Sequence, residues 1–222
     1  IKDNTMKKIL SILFGASLVL ATSAQAGGVF GIKYGTGELD ATKNAYTAGS
    51  TTYAAASKAK DNEYGAIFAE LEIPAVDGLS LGLEVIPFTA TIMLENAKEA
   101  MTGAELSDHK TFYAQYMYSM GNGGVYVKAG YASADIGSVT QTASSSVAGD
   151  TTVNSQDDSM SGPMIGIGFQ TNELYEGIVA RLEATYTDYD DVSITTTSNG
   201  SASVKRTAEA ELTTFSVSIA KS

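Results

Sequence analysis

Cysteine and tryptophan are missing from this 222-residue chain, and histidine and proline are scarce, with one and three copies. Without cysteine there is no disulfide framework and no Cys/His metal set. The single histidine, His109, follows Ser107 and Asp108 directly. Such neighbours rarely form a triad, which depends on groups converging from different places. No phosphate-binding loop and no G-x-S-x-G turn occurs. Catalysis is therefore not expected, and a lipid-modifying enzyme built on His109 is the remoter alternative. Pro74, Pro87 and Pro163 fall at the ends of predicted strands, where a missing N–H does no harm. Positive charge is also short: 14 Lys and Arg face 25 Asp and Glu, a net charge of −11, which argues against nucleic-acid partners. No apolar run reaches the ~20 residues of a spanning helix.

The one apolar run near that length is Ile9–Leu20. Lys7 and Lys8 precede it and Ala24-Gln25-Ala26 follows, the layout of a secretory signal peptide over residues 6–26. Ile1–Thr5 stand upstream of Met6, the expected natural start. Cleavage after Ala26 leaves residues 27–222 as the exported domain. It also removes three Lys and one Asp, so that domain is more acidic still.

What the chain has in quantity is alternation. In Ile178–Lys221, Ala180, Leu182, Ala184 and Tyr186 alternate with Arg181, Glu183, Thr185 and Thr187. On the returning arm Phe215, Val217 and Ile219 alternate with Thr214, Ser216 and Ser218. Period two means strand, because successive side chains point to opposite faces. Asn199-Gly200 suits a type I′ turn. Folding there sets Leu182 against Val217, Ala184 against Phe215 and Ala180 against Ile219, apolar on apolar throughout. Each arm is about twenty residues, against ~5–6 for an ordinary globular strand. Each has an apolar-alternating half and a Thr/Ser/Asp-rich half, as when one half crosses a bilayer and the other stands in water.

Six more strands are predicted: Gly28–Gly37, Glu63–Ile73, Leu79–Ile86, Thr111–Met120, Val125–Ala132 and Gly162–Gln170. Long polar connections alternate with short turns at Pro74–Gly78, Gly121–Gly124 and around Asn172 to Gly177. In the long connections, Ile92–Met101 has helical composition and Gly149-Asp150 suits a hairpin tip. The fold class expected is all-β: an eight-stranded antiparallel up-and-down transmembrane β-barrel.

This pattern of strands and loops resembles the small outer-membrane β-barrel family, in the manner of OmpX, Opa and the OmpA membrane domain, over the whole of residues 27–222. The resemblance implies a bacterial outer-membrane location. It also implies contact with outer-membrane lipid and lipopolysaccharide, insertion by the barrel assembly machinery, and a monomer. Members usually end on an aromatic residue, whereas this chain reads Ile219-Ala220-Lys221-Ser222. The natural frame is therefore expected to run past Ser222 to an aromatic.

With the apolar faces on lipid, the opposite faces put Lys33, Glu70, Glu72, Glu84, Lys128, Arg181 and Glu183 into the lumen, with Gln115 and Tyr126. Eight strands enclose a space that side chains just fill. A polar network of salt bridges is expected there, with Arg181 paired to Glu70, Glu84 or Glu183, rather than a freely conducting pore. Higher on the C-terminal hairpin the same register sets Asp188 opposite Glu211 and Asp190 opposite Glu209. This carboxylate cluster at the extracellular rim is a candidate Ca²⁺ or Mg²⁺ site, unless a bulge shifts the register. No other cofactor is expected. The role expected is structural or surface-interacting: envelope integrity, adhesion, or reception through the long loops. A small porin or transporter is the alternative.

Overall fold

Strands whose two faces differ this sharply need two different surroundings, and a closed barrel supplies them. The computed structural model describes residues 27–48, 51–53, 55–87, 90–96, 99–137, 140–142, 151–198 and 204–221. Among them, eight long strands follow one another: β1 (Gly28–Lys43), β2 (Ala56–Glu72), β3 (Leu79–Ile86), β4 (Glu99–Met120), β5 (Gly123–Ile136), β6 (Ser159–Thr171), β7 (Ile178–Ser198) and β8 (Val204–Lys221). Each pairs antiparallel with the next, and β8 pairs with β1 through Ile32↔Ile219 and Gly35↔Ser216, which closes the sheet. The hairpin register is the expected one, with Leu182↔Val217, Ala184↔Phe215 and Ala180↔Ile219.

Every strand turns apolar side chains outward. Ile32, Leu71, Leu83, Phe112, Val127, Ile167, Leu182 and Val217, one from each strand, are 49–60% exposed. Water would not tolerate so continuous an apolar surface, and lipid does. Lys110, Glu63, Asp188 and Glu211 are exposed above this belt, and Tyr34, Tyr131 and Tyr186 lie near its upper edge. Tyr118 and Tyr175 are exposed toward the other end. Aromatic rings at both interfaces and charges beyond them are how a strand barrel is set in a bilayer. No helix among the described residues is long and apolar enough to cross a membrane, so the crossing is made by strands.

The arms of the C-terminal hairpin have about the expected length, but other strands run longer than the sequence reading. The strands do not stop at the top of the belt; β1 and β2 remain paired to Lys43↔Ala56, and β7 and β8 to Thr196↔Val204. The reason is a second core. Leu39, Ala132, Ala134, Ile136, Met160, Tyr189 and Ala210 are buried together inside the upper barrel, with Leu106, Val192 and Leu212 packed against them. An apolar interior rewards continued pairing above the membrane. The expected helix at Ile92–Met101 is corrected for a related reason. Ala90–Asn96 is a strand, antiparallel to the first part of β4 from Ala90↔Leu106 to Asn96↔Glu99. Helix propensity is a weak prior that ladder pairing overrides.

Two bulges feed this upper core. On β7 the register jumps between Tyr189↔Ala210 and Val192↔Ala208. Strict alternation from the buried Tyr189 would turn Asp191 inward. With two residues opposing one, Asp190 and Asp191 are both exposed and Val192 reaches the core. On β4 the jump lies between Ser107↔Asp135 and Lys110↔Ser133, with Asp108 at φ 51°, and it brings Leu106 inward. Pro163 lies inside β6 rather than at its end. The β6–β7 ladder begins just beyond it, at Met164↔Thr187. Asn199-Gly200, Gly149-Asp150 and the expected signal peptide 6–26 lie outside the described residues.

Candidate functional site

Among the described residues, chemistry-bearing side chains converge in the lumen, and parity puts them there. Lys33 on β1, Glu70 on β2, Glu84 on β3, Lys128 on β5, and Arg181 and Glu183 on β7 are all buried and point inward. Three cations and three carboxylates cancel. Arg181 donates from Nη1 to Glu70 Oε1 at 2.7 Å and from Nη2 to Oε2 at 2.8 Å, a two-point pair that a lysine could not make. Its Nε donates to Gln170 Oε1 at 2.7 Å. Lys33 bridges Glu84 and Glu183, the latter at 2.5 Å. Lys128 lies 2.6 Å from the other Glu183 oxygen. A buried charge is tolerable when paired and hydrogen-bonded, and each of these is.

Aromatic rings fill the space between the charges. Tyr113 donates to Glu70 Oε1 at 2.8 Å and Tyr126 to Glu183 Oε2 at 3.0 Å, each only 1% exposed. The Lys128 ammonium sits 3.9 Å from the centre of the Tyr113 ring, and the Arg181 guanidinium 5.2 Å from that of Phe68. Room for the rings comes from glycine. Phe68 pairs across the ladder with Gly31, Tyr113 with Gly82, and Tyr126 with Gly168. A Cβ on those glycines would come within 2.3, 2.3 and 2.2 Å of the rings. Sequence reasoning took these positions as alternation and missed their pairing. The available signal was an inward glycine directly opposite an inward aromatic.

Above the charges, His109 shares a 2.7 Å hydrogen bond between its Nε2 and the hydroxyl of Tyr189, and the rings meet edge to face. His109 Nδ1 has no partner. This pair joins the two bulged segments across the lumen, and its tyrosine is part of the apolar core. A cavity of about 20 Å³ beside it, bordered by Tyr64, Glu84 and Thr214, has room for roughly one water. Below the charges, at the end of the barrel where the short turns lie, the lumen widens into a vestibule of about 680 Å³. Glu72, expected in the lumen, is exposed at its edge.

The rim carboxylates are not assembled as the sequence suggested. Asp188 does oppose Glu211, and Asp40 on β1 opposes Glu211 from the other side. At the β7 bulge, however, Asp190 shares the position opposite Glu209 with Asp191, outside the regular ladder. Asp190 instead accepts a hydrogen bond from the Tyr131 hydroxyl at 3.2 Å, and Glu209 accepts one from Asn44 Nδ2 at 3.3 Å. Among the described residues no three carboxylate or imidazole groups come together as a metal would require.

No protein-family model matches the sequence, and no curated protein matches it. Solved structures do. The outer membrane protein OprG from Pseudomonas aeruginosa aligns over 87% of this chain and 95% of its own, with a TM-score of 0.57 and 14% identity. The chain has the fold of the small outer-membrane β-barrels. Ail of Yersinia pestis, solved with the heparin analogue sucrose octasulfate, aligns over 87% of this chain and 98% of its own at TM-score 0.41 and 10% identity. Neisserial surface protein A aligns over 83% and 95% at 0.41 and 9%. This type of barrel belongs to the bacterial outer membrane, and the apolar belt of the present one is built for a bilayer.

Proposed function

We propose that this barrel is a structural or surface-interacting protein of the outer membrane whose lumen does not conduct solutes freely. The observation that carries the reading is the stacking in the lumen: a neutral, fully paired charge layer threaded by Phe68, Tyr113 and Tyr126, with the His109–Tyr189 pair and an apolar core above it. An ion entering this interior would have to shed its hydration and break paired charges, with no unpaired charge in the layer to receive it. Interaction then falls to the strand extensions above the belt, where β4, β7 and β8 run on and where Asp40, Glu211 and Asp188 form an acidic row. Outer-membrane lipid and lipopolysaccharide are the neighbours these extensions meet first. The barrel assembly machinery would insert the chain, which would act as a monomer without catalysing a reaction.

The test is single-channel recording of the refolded chain in planar bilayers. The expected trace shows no discrete steps above the bare membrane. A stable open level in the unaltered chain would overturn the reading in favour of a small porin.

A further inference from the structure

The vestibule is not neutral like the layer above it. Its lining includes the carboxylates of Glu70, Glu72, Asp77 and Glu173 against one guanidinium, that of Arg181, a surplus of three negative charges. Cleavage after Ala26 would add the α-ammonium of Gly27 to the rim and leave a surplus of two. The guanidinium and one side-chain amide here are already committed. Arg181 gives Nε to Gln170 and both terminal nitrogens to Glu70, and Asn172 Nδ2 donates to Gly121 O at 2.9 Å. One acceptor is not. Gln115, 2% exposed and part of the vestibule lining, has an Oε1 with no hydrogen-bond partner. An orphaned buried acceptor costs free energy that a donor would recover. The wall between Gln115 and the rim includes the apolar side chains of Val29, Met117 and Val179.

From these features we infer that the vestibule binds small organic amines that carry primary ammonium groups on an apolar stem. One ammonium meets Gln115 Oε1 at the floor, the methylenes lie along Val29, Met117 and Val179, and a second ammonium meets the carboxylates of Glu72, Asp77 and Glu173. A negative, low-dielectric cleft concentrates cations, and a bare metal ion could use the rim but not the apolar wall. The volume is within the range of small-molecule pockets, roughly 300–1,000 Å³.

The experiment titrates the refolded chain in non-ionic detergent, followed by amide NMR. The probes are 1,6-diaminohexane, 1,6-hexanediol, and MgCl₂ at matched ionic strength. The diamine is expected to move the signals of Ser80, Gln115 and Thr171 saturably, with an apparent affinity at least tenfold above that of either control. Gln115→Leu should weaken it at least tenfold, and so should Glu72→Gln with Glu173→Gln, two exposed positions whose change leaves the fold intact. Signals of Lys33, Lys128 and Glu183 should stay in place in every case. Equal response to Mg²⁺, diamine binding unchanged in both variants, or no diamine response at all would each overturn the inference.

Discussion

At the scale of single residues, the charge layer is the most consequential feature. Arg181 and Glu70 hold each other in a two-point pair where neither could be left alone. Arg181→Met is expected to lower unfolding stability by about 3–5 kcal/mol, because it strands the Glu70 carboxylate in the interior. Adding Glu70→Gln to it should restore a large part of that loss, since removing both charges removes the uncompensated one. Urea titration of the refolded chain in lipid vesicles measures both. A double variant no more stable than the single would show that the pair's packing, not its charge, is what matters. This pairing was half legible beforehand. Parity alone sends Arg181 and Glu70 inward. Which glutamate the arginine chooses depends on where strands far apart in sequence come to lie around the barrel.

Among the elements, the bulges separate two barrels that share one set of strands. Below Tyr189 the outward face is apolar and the inward face polar; above it, the apolar residues lie inside. On β1, β5, β6 and β8 the inward face simply changes composition in unbroken register, whereas on β7 and β4 an extra residue, at Asp190–Asp191 and Asp108–His109, resets which side chains face in. Val192→Asp is expected to set an unpaired carboxylate in the upper core, into which the bulge turns residue 192. Hydrogen exchange checks this: the amides of residues 193–197 should lose protection by tenfold or more, while those of residues 180–188 keep theirs. Equal loss along the whole of β7 would mean that the two halves unfold as one. The bulge was named in advance only as a possible disturbance of the rim carboxylates. Its purpose, to turn an aspartate out of an apolar core, needs that core to be known.

For the whole molecule, the inversion of the lower barrel sets its medium. Leu83, at mid-belt on β3, is 49% exposed. On a water-soluble protein Leu83→Arg would change stability by less than about 0.5 kcal/mol. On a lipid-facing strand near the bilayer midplane it should cost about 2–4 kcal/mol. Reversible unfolding from vesicles, compared with Lys110→Arg above the belt as control, distinguishes the two. A neutral Leu83→Arg would take the belt out of the membrane.

The sequence by itself determined the strand class, the eightfold count, the hairpin register up to Tyr189 and the inward set Lys33, Glu70, Glu84, Lys128, Arg181 and Glu183. All of these follow from one local rule, that neighbouring side chains on a strand face opposite ways. Only the tertiary structure decided what that rule cannot carry. It chose Glu70 for Arg181, set Phe68, Tyr113 and Tyr126 over Gly31, Gly82 and Gly168, and placed a bulge at Asp190–Asp191. It also made a strand of the helix-like segment Ala90–Asn96. The physical reason is shared: each outcome is settled by contacts between strands brought together by closure, and closure energy outweighs the local preference of any one segment.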